Sequence, residues 1–327
     1  MNEKNIFVPM SAILLLTVFV ASASVLLMSG KADKTTRVSV IVDDSSSQRW
    51  VAFLEGLDQA AKDTGIQVTV VPTEEYMTLN QQYKLVNDEI SNGADGIILQ
   101  VTNSRSTENM IFDIRSRTVL MLVDTDADKD VDVEGRSACI ETNNEEVGRA
   151  LANEVMIAYG SELKDMSIGV IAGNLKQTAM AERLKGFNEN IGPSGAKLAW
   201  IDSDPTDISE NLVKWQQNAP ADIIVAMNNA CLEGACDYCS KQEDPPALFG
   251  EGTSILAVSR LDDGLITSMI VPNEYYMGYR SLIAISERLD NKLTPMSDEK
   301  VSFRVVNKDN LFDETNQRIL FPVYSRY

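Results

Sequence analysis

Residues 93–101, with the sequence GADGIILQV, describe a turn that leads into a short buried strand. A polar run, residues 102–106 (TNSRS), follows directly at the end of that strand. Strands of this kind recur along the chain, each ending in Asp, Asn, Thr or Ser and each followed by a helical stretch. The alternation predicts an open parallel sheet whose ligand lies at the carboxyl ends of the strands.

The strand-helix alternation forms two sets of units, which predicts an α/β fold of two Rossmann-like lobes with parallel sheets. We place the first lobe at residues 37–142 plus 272–297, and the second at residues 143–271 plus 298–327. Three hinge segments then join the lobes and leave a cleft between them. The alternating run at residues 301–306 is predicted to form one final strand of the second lobe.

The composition excludes several classes of function. The chain has 48 acidic and 29 basic residues and a formal net charge of −19, which argues against nucleic acid and anionic membrane surfaces as partners. It contains no histidine. Catalysis by a Ser-His-Asp or Cys-His set is therefore excluded, as are most zinc sites built on imidazole. We expect no enzyme activity, no metal and no cofactor.

Three of the four cysteines are crowded together. Cys231, Cys236 and Cys239 have a C-x4-C-x2-C spacing that superficially suits an iron–sulfur cluster. On a helix, however, they share a broad face with Leu232 and Ala235, so we predict that they pack in the core.

The amino-terminal segment at residues 6–28 carries no charge and is long enough to cross a membrane, for which about 20 residues suffice. We predict an uncleaved N-terminal hydrophobic helix that anchors an extracytoplasmic domain in the cell membrane. The alternative is a signal peptide cleaved after residues 21–23 (ASA), which would release the domain as a secreted or periplasmic protein. The apolar run continues beyond that site, which favours the anchor.

Several short motifs together resemble a known family. They are residues 53–56 (FLEG), 93–99 (GADGIIL), 182–187 (ERLKGF), 263–264 (DG), 277–279 (MGY) and 306–311 (VNKDNL). The chain resembles the type I periplasmic binding proteins, in particular the ribose- and galactose-type sugar binders, whose fold is shared by the effector domains of LacI-type repressors. The resemblance covers about residues 37–312. A LacI-type repressor would need a DNA-binding helix-turn-helix at its amino terminus, and this chain has the hydrophobic segment there instead.

The resemblance implies a carbohydrate site in the cleft. In the first lobe it places Ser47, Arg49 and Trp50 at the loop after the first strand, where such binders often carry two aromatic residues. Trp50 would stack on a sugar ring, or else pack in the core at a helix start. Asp124 falls where the family uses a carboxylate to accept hydrogen bonds from adjacent hydroxyls.

The second half of the implied site lies at the hinge and in the second lobe. Its members are Asn143 and Asn144 at the first crossing, Asn228 and Asn229 at a strand end, Arg183, and Glu251 where the family commonly has an aspartate. Each asparagine could instead cap a helix. Two positions depart from the family pattern, because Ala181 stands for an arginine and Ile270 for a glutamine. These departures argue against a ribose-like ligand.

The function that the resemblance implies is capture of a small sugar-like ligand between the lobes by hinge closure. The partner would be the permease of an ABC importer or a membrane sensor. In the alternative, a membrane-anchored sensory subunit presents the ligand state to a histidine kinase or receptor and has no part in transport.

Overall fold

The computed structural model describes residues 35–128 and 135–322. From Arg37 onward the described chain belongs to one compact unit. The hydrophobic segment at residues 6–28 lies outside the described residues, so the membrane anchor and the signal peptide both stay predictions. Among the helices of the described ranges, none has the length and apolar character needed to cross a membrane.

The first lobe is built on a six-stranded parallel sheet. Its strands are β1 (Arg37–Ile41), β2 (Gln67–Val70), β3 (Gly96–Leu99), β4 (Val119–Val123), β5 (Ser137–Thr142) and β11 (Glu299–Val301). The order across the sheet is β11-β5-β4-β3-β1-β2. The chain changes direction across the sheet between β1 and β3, the kind of switch point at which open α/β sheets bind ligands.

The second lobe repeats this arrangement. Its strands are β6 (Ser167–Ile171), β7 (Lys197–Asp202), β8 (Ile223–Ala226), β9 (Ala247–Glu251), β10 (Ile266–Pro272) and β12 (Phe303–Asn307), in the order β12-β10-β9-β8-β6-β7. All neighbours run parallel except β12, which is antiparallel to β10. The predicted fold class of two α/β lobes is therefore confirmed.

Ten α-helices connect these strands in the described part of the chain. They are α1 (Val51–Thr64), α2 (Leu79–Ser91), α3 (Glu108–Arg117), α4 (Asn144–Tyr159), α5 (Thr178–Ile191), α6 (Ile208–Asn218), α7 (Asn229–Cys239), α8 (Ile255–Asp262), α9 (Glu274–Asp290) and α10 (Glu314–Leu320). Central strands such as β3 and β4 are buried along their whole length. They are apolar throughout because helices cover both faces of a parallel sheet.

The chain passes between the sheets three times. It crosses from β5 to α4, from β10 to α9, and finally from β11 to β12 through the single residue Ser302. The alternation predicts one strand at residues 301–306. In the structure these residues belong to two strands in different sheets. Since β11 pairs with β5, the third crossing also falls later than the boundary that the sequence places between residues 297 and 298.

The three crowded cysteines lie on α7, where all are buried and none forms a disulfide. They belong to the same apolar cluster as Leu232 and Ala235. The prediction of core packing is confirmed.

Two helix pairs make close backbone contacts beside the cleft. On α4, a methyl group added at Gly148 would overlap the carbonyl oxygen of Arg183 on α5, and Gly56 of α1 approaches Tyr275 of α9 in the same way. Glycine at these positions lets the helix backbones approach more closely than any side chain would permit. The spacing of α5 from α4, and so the position of Arg183, depends on this contact.

Gly148→Ala tests that dependence. Helix propensity alone predicts a gain of about 1 kcal/mol in the free energy of unfolding, because alanine is the better helix former. Overlap with the α5 backbone predicts a loss of about 1–3 kcal/mol instead, and we expect the loss.

Urea unfolding would measure the difference. Ile157→Ala, at a side chain of α4 that is 77% exposed, is the control and should change stability by no more than about 0.5 kcal/mol. A Gly148→Ala protein as stable as the parent would contradict the close contact.

Candidate functional site

A cavity of about 170 Å³ lies in the cleft, with both lobes contributing to its walls. The loops after β1, β2 and β3 supply Asp43, Asp44, Ser47, Arg49, Glu75, Tyr76, Met77, Gln100 and Thr102. The segments after β6, β7 and β8 supply Asn174, Gln177, Pro205, Ile208, Asn228, Ala230, Cys231 and Glu233. The cavity therefore lies at the carboxyl ends of the strands, as the fold requires.

Arg49 lines the cavity and extends into a buried cluster of charges. Its Nη2 lies 3.0 Å from Oδ1 of Asp124 and 3.4 Å from Oε1 of Glu274. Its guanidinium also stacks over the Trp50 ring, with the central carbon 4.1 Å from the ring centroid. The second oxygen of Asp124 accepts a hydrogen bond of 2.6 Å from Gln100. Both oxygens of Asp124 therefore already have donors from the protein.

Arg183 continues the cluster in the second lobe. Its Nη1 lies 3.1 Å from Oε2 of Glu251, and its Nη2 lies 3.9 Å from Oδ1 of Asp124. Its Nε donates to Asn144 at 2.8 Å, and Nη1 donates to the carbonyl oxygen of Met227 at 2.7 Å. Only 1% of Arg183 is exposed. The charges of the two lobes thus meet in one buried network.

The network contains three carboxyl groups and two guanidinium groups, all buried or nearly so. Burial opposes ionisation of Asp124, but Arg49 and Arg183 outweigh it and lower the pKa of this carboxyl. Burial raises the pKa of Glu274 to about 8; Arg49 works against this rise, and the nearby Asp124 and Glu251 add to it. Burial raises the pKa of Glu251 as well, with Arg183 and Arg49 opposing the rise. With a proton on Glu274 and with Asp124 and Glu251 ionised, the network would be electrically balanced.

The remaining predicted residues have structural partners. Trp50 is fully buried, packs edge-on against Phe53 and donates from its indole nitrogen to the carbonyl oxygen of Asp43. Ser47 caps the short 3-10 helix at Gln48–Trp50 and lines the cavity. The position of Trp50 matches the core alternative that the sequence left open, and it does not line the cavity.

The four predicted asparagines also have structural partners. Asn143 caps α4 and is exposed. Asn144 joins Arg183 to Glu141 within the buried network. Asn228 caps α7, accepting from the backbone of Cys231 at 2.8 Å, and also lines the cavity. Asn229 is buried and holds the loop after β9 by accepting from the backbone of Thr253 and Ser254.

Sequence reasoning missed several cavity and network residues, chiefly Glu274, Gln100, Asp43 and Tyr76. Glu274 follows the end of β10, where the chain crosses to the first lobe. It therefore lies just after a strand end, as Asp124 does after β4. Acidic residues are common in the first turn of a helix because the helix dipole stabilises them, so the position of Glu274 did not by itself indicate a role in the site. Gln100 and Asp43 follow β3 and β1 directly and could have been found by the strand-end rule.

Hydrogen bonds across the cleft hold the lobes together. Tyr76 Oη donates to the carbonyl oxygen of Pro205 at 2.7 Å. Asn174 and Gln177 of the second lobe donate to carbonyl oxygens of Thr102 and Val101, each at 2.9 Å. These bonds make the structure a closed form in which the cavity is walled by both lobes.

Unusual backbone conformations concentrate at the cleft. Asp44, Tyr76, Asp124 and Asp207 have positive φ angles between 39° and 66°, and Ser106 is the one other such non-glycine residue in the described ranges. Aspartate tolerates this region, whereas for tyrosine it is an outlier. Strain of this kind costs about 1–3 kcal/mol and persists where the surroundings impose it.

Comparison with known proteins is consistent with this geometry. A family model described as a periplasmic binding protein domain matches residues 38–293, and the chain belongs to this family. The search of curated proteins finds no match to this sequence.

Solved structures share the fold at low sequence identity. A carbohydrate transporter solute-binding protein from Agrobacterium radiobacter, in complex with D-arabinose, has a TM-score of 0.77 and 17% identity and covers 88% of this chain and 100% of its own. A solute-binding protein from Agrobacterium vitis, bound to α-D-tagatopyranose, has a TM-score of 0.78 at 17% identity and covers 88% and 99%. A chain of the XylFII–LytSN complex has a TM-score of 0.72 at 19% identity and covers 84% and 98%.

The proton on Glu274 makes stability depend on pH. A glutamate loses its proton near pH 4.5 in the unfolded chain, but at about pH 8 in the folded protein. Between these values the folded state binds the extra proton, so its stability falls as pH rises, by up to about 1.4 kcal/mol per pH unit for this group. Glu274→Gln removes this contribution.

Urea unfolding across that pH range would measure it. We expect the stability of Glu274→Gln to fall less steeply with pH than that of the parent protein. Glu287→Gln, at an exposed position of the same helix, is the matched control and should keep the parent slope. Equal slopes for the parent and Glu274→Gln would show that another group carries the proton.

Proposed function

We propose that the protein captures a small, sugar-sized polar solute between its lobes, outside the cytoplasm, and releases it by opening at the three crossings. The observation that carries this proposal is the partly open cavity, lined with polar side chains from both lobes at the carboxyl ends of their strands. Membership of the periplasmic binding protein family supports it. So do the neighbours of similar fold that hold arabinose and tagatopyranose. No covalent chemistry is required.

The dimensions of the cavity limit the ligand. Pockets for drug-sized molecules measure roughly 300–1,000 Å³, and this cavity is about 170 Å³. Its polar groups would fix the orientation of a compact solute through hydrogen bonds. A chain of sugars or a large apolar ligand does not suit this space.

The ligand would not repeat the contacts that the family resemblance implies. Asp124, the residue expected to accept hydroxyl hydrogen bonds, is occupied by Arg49 and Gln100. Trp50 is covered by the Arg49 guanidinium and lies in the core. The ligand would therefore lie beside Arg49, against the walls formed by the loops after β1, β2 and β8.

Closure would couple binding to signalling or transport. A ligand that contacts both lobes stabilises the closed form relative to the open one, and a membrane partner can read the surface that closure creates. The partner would be the permease of an ABC importer or a membrane sensor. The uncharged segment at residues 6–28 favours a membrane-anchored sensory subunit as the second candidate. The likeness to a chain of the XylFII–LytSN complex supports binding to a protein partner.

A thermal-shift screen of the full-length chain tests the capture function. Monosaccharides, amino sugars, polyols, nucleosides and furanoses would be tested at saturating concentration, and a ligand that binds only the folded protein must raise the unfolding midpoint. We expect a compact polar solute to do so. If no solute in the panel raises the midpoint, the capture function is wrong.

The solute that binds would then be used to measure closure. Tyr76→Phe removes the hydrogen bond to Pro205 across the cleft, and we expect dissociation to become about two- to tenfold faster. Tyr279→Phe is the matched control, since its hydroxyl donates to Asp63 within the first lobe. The same rate for both variants would exclude Tyr76 as a closing contact.

A further inference from the structure

We propose that the cleft cavity selects an amine-bearing solute, whose ammonium group is held by the carboxylates around Asp43. This inference rests on the proposed capture function and names the chemical class of its ligand. An amino sugar or a short diamine has the required chemistry, whereas a neutral sugar of the same size does not. The inference depends on the charges of the walls, on unsatisfied acceptors within them, and on the groove that adjoins the cavity.

The walls of the cavity carry an excess of negative charge. Four carboxylates line it: Asp43, Asp44, Glu75 and Glu233. Among the described residues that line it, Arg49 is the one cation, and its charge is already matched by Asp124 in the buried network. A neutral ligand would leave the negative charge of these walls unmatched, whereas an ammonium group would offset it.

Two buried oxygen atoms of the walls lack a hydrogen-bond partner. They are Oδ1 of Asp43 and Oγ1 of Thr102, and Thr102 is only 8% exposed. Both residues line the cavity, and both follow neighbouring strands, since β1 pairs with β3 with Ile41 opposite Leu99. Buried acceptors without donors are costly. An ammonium group has three donors and no acceptor, so it can satisfy such atoms once the two side chains rotate toward the ligand.

Burial and, to a smaller extent, the neighbouring acids disfavour ionisation of Asp43. Burial raises its pKa to about 6; Arg49 opposes the rise, and Glu75 and Asp44 contribute to it. At neutral pH the group is therefore mostly ionised in an environment that disfavours its charge. A cation placed against it would relieve that cost.

An acidic surface groove adjoins the cavity. It shares Glu75, Tyr76 and Glu233 with the cavity and adds Asp207, Glu210 and Asp237. Its one lysine, Lys241, lies 2.6 Å from Asp237 and is neutralised by it. A cleft lined by one sign of charge concentrates ligands of the opposite sign. The groove therefore favours entry of cations over entry of neutral or anionic solutes.

Tyr76 stands where the groove meets the cavity. Its ring lines both, and its hydroxyl bridges to the second lobe at Pro205. An aromatic ring at this point offers an apolar face to the carbon skeleton of the ligand and a favourable surface for its charge. The site thus combines acceptors for an ammonium group with a surface for the rest of a small molecule.

Calorimetric titration of the full-length chain with matched pairs of probes would test the inference. The pairs are D-glucosamine with D-glucose, D-galactosamine with D-galactose, and 1,4-diaminobutane with 1,4-butanediol, and each pair differs only in amine against hydroxyl. We expect at least one amine to bind about ten- to a hundredfold more tightly than its hydroxyl partner, as charge-assisted hydrogen bonds imply. Added salt should weaken the binding of the amine.

Variants would locate the binding site. Asp43→Asn and Glu75→Gln should each weaken binding of the amine by about tenfold or more. Glu75 is exposed, so its variant tests the site even if Asp43→Asn fails to fold. Glu243→Gln is the control, because this exposed acid precedes β9 and lies at the end of the sheet away from the cleft.

The outcomes separate the two proposals. If neutral probes bind as tightly as their amine partners, or more tightly, the capture function stands and the amine inference is wrong. Amine binding that survives in both acid variants would also overturn the inference, because the ammonium group would then lie elsewhere. If neither probes nor the wider solute panel bind, both proposals are wrong.

Discussion

The buried contact between Arg183 of the second lobe and Asp124 of the first joins the charges of the two lobes in the closed form, beside the hydrogen bonds that cross the cleft. Arg183 belongs to the second lobe, yet its charge is shared between Glu251 of that lobe and Asp124 of the first. Loss of one member of such a network leaves an unpaired charge in a buried position, which costs about 3–5 kcal/mol. The lobes are therefore joined by a set of charges that is stable only when complete.

Around that network the cleft is divided into two parts with different roles. The inner part is filled by the protein itself, since Arg49 reaches over Trp50 and takes the place in front of Asp124 where a hydroxylated ligand was expected. The outer part is the cavity with its surplus of carboxylates. One arginine thus both completes the inner network and forms the boundary of the space left for a ligand. Each part contains a residue with a positive φ angle, Asp124 in the inner part and Tyr76 in the outer part.

The two-lobe fold could be predicted from the sequence because strand ends and helix starts carry local signals. The crossing at Ser302 could not, because alternation shows that residues 301–306 are extended but cannot show that the chain changes sheets there. Asp124, Arg183 and Glu251 were predicted from the sequence to bind the ligand, and this stays a prediction. Their pairing with one another in a buried network could not be predicted, because it depends on distances between residues far apart in the chain. Glu274 was missed because an acid at a helix start has an ordinary explanation in the helix dipole.

The late crossing from β11 to β12 also constrains the order in which the molecule can be made. These two strands form the outer edges of the two sheets, and α9, which packs on α1, comes only shortly before them in the chain. Neither lobe can complete its sheet until residues 299–307 have left the ribosome. Contacts between such distant parts of a chain form slowly, because the intervening segment must first be closed into a loop. Until residues 299–307 are made, two nearly finished lobes wait for the same short segment, and each sheet has an unpaired edge where that segment will pair.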